Sequence, residues 1–85
     1  MDTRHVAAAV AVARHGSFTK AAEELFMAQS TVSRQVAALE RDLGRQLFVR
    51  RLRHVELTPH GRAFLPEAER LLEAVRRVLD TARDP

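Results

Sequence analysis

Eighty-five residues, 46% of them hydrophobic, with no cysteine and a net charge of +3, describe one small folded domain with a thin core. That composition excludes disulfides and thiolate-bound zinc, and no apolar run approaches the roughly 20 residues of a membrane span. The charge is unevenly placed: across residues 34–62, Arg34, Arg41, Arg45, Arg50, Arg51, Arg53 and Arg62 are set against only Glu40, Asp42 and Glu56, and 13 of the 14 basic residues are Arg. The planar Arg fork makes two-point contacts with phosphates and guanine edges, which Lys cannot.

The first predicted element is an amphipathic helix over Thr3–Arg14, with Val6, Ala9, Val10 and Ala13 recurring at three and four. Asp2 or Thr3 can cap it, and Gly16 stands where a C-terminal glycine belongs. Ser17 caps a second short helix whose expected buried stripe is Phe18, Ala21, Ala22, Leu25 and Phe26. Met27 and Ala28 make a tight connection. A third helix is expected over about residues 29–43, ending at Gly44, with Val32, Val36, Leu39 and Leu43 as its apolar stripe. Ser30, Arg34, Ala37 and Arg41 fall within about 40° of the opposite pole of that helix, with Ser33 at the flank.

Two β-prone runs follow, Leu47–Arg50 and Val55–Thr58, joined by the basic stretch Arg51–His54, which predicts a hairpin over 47–57. Thr58 and Pro59 have the signature of an N-cap and first helical position. From there Phe64, Ala68, Leu71, Val75, Val78 and Ala82 repeat at four and three, with Leu65, Leu72 and Leu79 beside them. The predicted last helix spans 59–82, and Pro66 predicts a kink or a start delayed to that point. A helix this long on so small a domain leaves apolar surface over, so Phe64, Leu65, Ala68, Leu71, Leu72, Val75, Val78 and Leu79 are the expected homodimer interface.

Two short helices joined by a tight turn, the second with a small, polar outer face, make a helix-turn-helix. Such a helix enters the major groove, where each base pair shows its own donor and acceptor pattern. Arg34 then suits a guanine and Gln29 an adenine edge, while Ser30, Thr31 and Ser33 can bond phosphates or bases. Arg51 and Arg53 lie on a wing that can reach a neighbouring minor groove or the backbone. The expected fold is mainly α: a winged helix-turn-helix over 1–58, with a three-helix core and two-stranded wing, then a linker and dimerisation helix over 59–85.

Two other function classes fit the sequence less well. An enzyme needs a Gly-rich phosphate loop, a nucleophile elbow or paired carboxylates, none of which is written here. The histidines at 5, 15, 54 and 60 lack metal-ligand spacing, so neither metal nor cofactor is expected. A winged helix used for protein docking predicts an apolar or acidic outer face on the third helix, and Ser, Arg, Ala and Arg stand there instead.

Four motifs in order resemble the N-terminal domain of LysR-type transcriptional regulators: Gly16–Ala22 with Leu25, Gln29–Val36, Leu39–Gly44 with Leu47–Arg50, and Leu57–Arg62. The resemblance runs from about Arg4 to Leu79. It implies Gln29, Ser30, Ser33 and Arg34 as base-facing residues, Thr31, Arg50 and Thr58 as phosphate anchors, and Arg53 as a wing contact. It further implies a homodimer on a pseudo-palindromic DNA operator, in a bacterial cytoplasmic regulator. A small-molecule effector would bind only through a domain missing from this chain. Ala28 departs from the pattern, because a Ser commonly caps the recognition helix there.

Overall fold

The computed structural model describes residues 1–83, so the last two positions of the expected linker span, Asp84 and Pro85, lie outside the described residues. The element order is α1 (Thr3–His15), α2 (Phe18–Leu25), α3 (Gln29–Leu43), β1 (Phe48–Arg50), β2 (Val55–Leu57) and α4 (Pro59–Arg83). Three helices, a two-stranded antiparallel wing and a long last helix form the winged helix-turn-helix that the sequence pattern predicts.

Asp2 caps α1: its carboxylate accepts from the Arg4 amide at 2.8 Å. The Arg4 side chain and this amide hold the Asp2 carboxyl down at about 2. Gly16 ends the helix in the left-handed region at φ 62°. In between, Val6, Ala8, Ala9, Val10, Ala11 and Val12 are all buried, so α1 has no broad solvent face and the amphipathic expectation is corrected. The reason is tertiary, since α2, α3, α4 and β2 all pack against it. Small Ala and Val side chains let those neighbours approach closely, and each buried Val contributes about 1.5–3 kcal/mol.

Ser17 accepts from the Lys20 amide and starts α2, which buries Phe18, Ala21 and Ala22. The stripe does not extend to Phe26. This residue adopts φ 54°, closes the helix in the left-handed region, and leaves its ring 96% exposed. The helical spacing that would have turned it inward stops one residue earlier.

In α3, Val32, Val36 and Leu39 are buried against α1 and its neighbours. Leu43 is 39% exposed, another correction: it is the last helical residue before Gly44 reverses the chain at φ 68°. The wing pairs Phe48 with Leu57, Val49 with Glu56 and Arg50 with Val55. Its turn is closed by the Arg51 amide donating to the His54 carbonyl at 2.8 Å. The Val55 amide also donates to the Gly16 carbonyl at 2.9 Å, tying the wing to the end of α1.

Thr58 caps α4 by accepting from the Gly61 amide at 3.0 Å while its hydroxyl donates to the Gln46 carbonyl at 2.6 Å. Helix α4 then runs unbroken through Pro66, so the delayed start is not what occurs. Its first half lies on the core through Phe64, Leu65, Leu71 and Leu72. Ala68 is 2% exposed within this chain, so of the eight expected interface positions it presents nothing to a partner. The second half projects, and a helix of 25 residues, about 37 Å long, gives the molecule extents of 49 × 25 × 18 Å. Val78 and Leu79 are exposed there.

Candidate nucleic-acid interface

Three local structures meet on one side of the molecule: the start of α2, the start of α3 and the wing. A shallow groove between them is lined by Gly16, Thr19, Gln29, Arg50, Arg51 and Arg53, among others. The fold therefore brings together residues more than 30 positions apart in sequence. Of the expected base-facing set, Gln29, Ser30 and Arg34 are exposed and Ser33 is half-buried on the side toward the wing. Thr31 sits one turn behind Arg34 and accepts a hydrogen bond from its Nη2 at 3.4 Å, which steers the guanidinium along the outer face.

The first turn of α3 has no side-chain cap, because Ala28 has no polar atom to offer. Helix-start amides that lack a partner carry partial positive charge and attract anions. The turn is held instead by a link across the motif: the Thr19 hydroxyl donates to Gln29 Oε1 at 3.1 Å.

The wing arginines divide into two kinds. The Arg50 guanidinium carbon lies 4.0 Å from the centroid of the Phe18 ring, a cation–π stack that fixes the cation at the groove wall. Phe18 is itself held edge-on by Phe48, at 6.2 Å between centroids. Arg51, in contrast, has a counter-ion: its Nε is 3.2 Å from Glu56 Oε2, and His54 Nε2 is 2.9 Å from the other oxygen. The His54 hydrogen bond, then Arg51, draws the Glu56 carboxyl below its ordinary range. Among the described residues, no carboxylate lies within ion-pair distance of Arg34, Arg50 or Arg53.

Thr58 lies at the joint between wing and α4, with its hydroxyl proton already donated to Gln46. In this arrangement its side chain cannot also donate to a phosphate. The sequence reading missed several residues that build the site. Glu40 accepts from the Leu47 amide at 2.7 Å and fastens the root of the wing to α3. Gly61 is a close approach, because a Cβ there would stand 2.2 Å from the Leu47 carbonyl oxygen. Phe18 is the platform under Arg50. For Glu40 and Phe18 no local pattern carries the signal, since their partners are seven and 32 residues away. Gly61 carried a weaker one, as a glycine inside a predicted helix.

Among the described residues no group of three His, Asp or Glu side chains could hold a metal, and no helix is long and apolar enough to cross a membrane.

Residues 3–62 match a family described as bacterial regulatory helix-turn-helix protein, lysR family. The chain is 46% identical over 77 residues to the HTH-type transcriptional regulator TfdT of Cupriavidus pinatubonensis, covering 91% of this chain and 34% of that protein. It is 46% identical over 83 residues to the HTH-type transcriptional regulator IlvR of Caulobacter vibrioides, covering 98% and 28%. In three dimensions it resembles the CbnR DBD–DNA complex at a TM-score of 0.91 and 42% identity, covering 98% of this chain and 95% of that one. The BenM DBD complex with catB site 1 DNA superposes at a TM-score of 0.92, again at 42% identity, covering 98% and 93%.

Proposed function

This chain belongs to the lysR family of bacterial regulatory helix-turn-helix proteins, and on that premise we propose that it reads duplex DNA in a sequence-specific way, as the recognition head of a transcriptional regulator. One observation carries the reading: the exposed outer side of α3, with Gln29, Ser30 and Arg34, opens beside a groove walled by Arg50, Arg51 and Arg53. A helix with small polar residues fits the major groove, and flanking arginines neutralise the phosphates on either side. Gln29, Ser30, Ser33 and Arg34 face base edges. Thr31, Arg50, Arg51 and Arg53 meet the backbone or the adjacent minor groove. The uncapped start of α3 offers its amides to a phosphate. Thr58 supports the same face indirectly, by setting the angle between wing and α4.

Two copies pair through the projecting half of α4, where Val75, Val78 and Leu79 continue the apolar stripe beyond the part covered by the protein's own core. Leu65, Leu71 and Leu72, half-covered by that core, border the interface with Phe64. The operator is then a pseudo-palindrome with half-sites about one helical turn or more apart. The chain spans about a third or less of the length of TfdT and IlvR.

Selection of bound duplexes from a random pool at two salt concentrations tests the reading. The expected outcome is enrichment of a two-fold related motif, with affinity falling steeply as salt rises. Recovery of unenriched sequence at both concentrations would overturn it.

A further inference from the structure

Arg50 ends β1 and is exposed. Among the described residues its guanidinium has neither an ion-pair nor a hydrogen-bond partner, because Glu56, the carboxylate of the wing, is taken by Arg51 and His54. An exposed arginine without a partner samples many rotamers, and whatever binds it must first stop that motion. Here a ring face does so beforehand, with the guanidinium carbon 4.0 Å from the Phe18 centroid. The ring is itself fixed. Phe18 opens α2 behind the Ser17 cap, is 5% exposed, and is met edge-on by Phe48 of β1 at 6.2 Å. The neighbouring arginine shows what the ring avoids. To meet a phosphate, Arg51 must share or leave the Glu56 carboxylate. Arg50 gives up nothing, because a ring face attracts the cation as a whole and occupies none of its N–H donors.

We infer that Phe18 is a positioning residue for duplex binding, although it is buried beneath Arg50: its ring holds the guanidinium ready for a phosphate, so that this contact forms at a lower cost in side-chain entropy. The inference rests on the proposed duplex reading, in which Arg50 meets the sugar–phosphate backbone. A phosphate contact carries no sequence information, so the ring raises affinity for every duplex by the same factor. It changes how readily the contact forms and not how many phosphates are neutralised, so that factor is the same at low and high salt. Arg50 itself differs on the second point, since removing it deletes a contact and flattens the salt dependence.

The test uses the 85-residue chain with mono-, di- and trifluorinated phenylalanine placed at position 18. Fluorine draws electron density off the ring face while nearly keeping the ring's shape, so the attraction to the cation weakens and the packing stays. Affinity for the selected duplex and for random duplex is expected to fall stepwise along the series, reaching about threefold for the trifluorinated ring, the size of an exposed cation–π contact. The salt slope and melting temperature are expected to stay at the wild-type values. Arg50→Ala is expected to lower the salt slope by about one, and in that background the fluorine series is expected to leave affinity unchanged. Flat affinity along the series, or the same stepwise fall without Arg50, would overturn the role of Phe18 while leaving DNA reading intact. A wild-type chain that selects no duplex would instead remove the reading on which it rests.

Discussion

The starts of α3 and α4 are built in opposite ways. At α4, Thr58 bridges the Gln46 carbonyl and the Gly61 amide, and Gly61 lies so close to the Leu47 carbonyl that no side chain fits between them. At α3, Ala28 caps nothing, and one exposed side-chain link from Thr19 to Gln29 steadies the first turn. The α4 start is a structural joint, satisfied from within the chain, and it fixes where the wing stands. The α3 start is left with unmet hydrogen-bonding capacity on the face proposed to meet DNA. A helix end incompletely satisfied by its own protein is one that an anion can complete.

The comparison breaks most visibly at Gly61. Gly61→Ala drives a Cβ into backbone, and the expected cost is about 3 kcal/mol, a fall in melting temperature of more than ~10 °C for a domain of this size. A thermal melt within a few degrees of wild type would show that the joint is looser than its geometry implies. At the other end, Arg34→Ala is expected to weaken binding to the selected duplex by about 1–3 kcal/mol and relax one base position, with the melting curve unmoved. Unchanged affinity for selected and random duplex alike would remove Arg34 from the reading surface.

Thr58→Ala, which deletes the α4 cap, is expected to cost roughly 1 kcal/mol in chemical denaturation. Ala28→Asp sharpens the contrast, because it supplies the missing cap at α3. It is expected to raise stability by about 1 kcal/mol and to weaken duplex binding severalfold, since its carboxylate occupies the place and charge of a phosphate. A variant both more stable and tighter on DNA would contradict the anion-accepting role of this helix start.

The smallest effect concerns the wing. Glu56 has its carboxyl lowered from 4.5 by the His54 hydrogen bond and then by Arg51. A depressed carboxylate stabilises the folded wing above its unfolded-state value, and that contribution is lost as pH falls through the folded one. Amide resonances of Arg51–Glu56 are therefore expected to move below pH 4.5, and Glu56→Gln is expected to abolish that movement. The same titration curve in both proteins would exclude Glu56 as its source.

Much of this was legible from residues a few positions apart. Ser17 and Gly16 mark the break between α1 and α2, Gly44 the end of α3, and Thr58–Pro59 the start of α4. Each of these signals is local chemistry, a cap or a left-handed backbone, and survives any tertiary context. The outer face of α3 was legible too, because a wheel assigns sides to a helix whose other side carries Val32, Val36 and Leu39. The reading failed at Phe26 and Leu43, where the apolar spacing was carried to residues at the very end of a helix, and at α1, where periodicity could not say that four neighbours surround it.

The amino-acid sequence alone thus determined the helices, the wing and the polar side of α3, since propensity, caps and periodicity act over a few residues. Tertiary packing alone decided that Arg50 stacks on Phe18, that Thr19 meets Gln29, that Glu56 holds Arg51, and that α4 is covered only along its first half. These pairings depend on distances between elements, and such distances exist only once the buried faces of α1, α2, α3 and α4 have closed on one another.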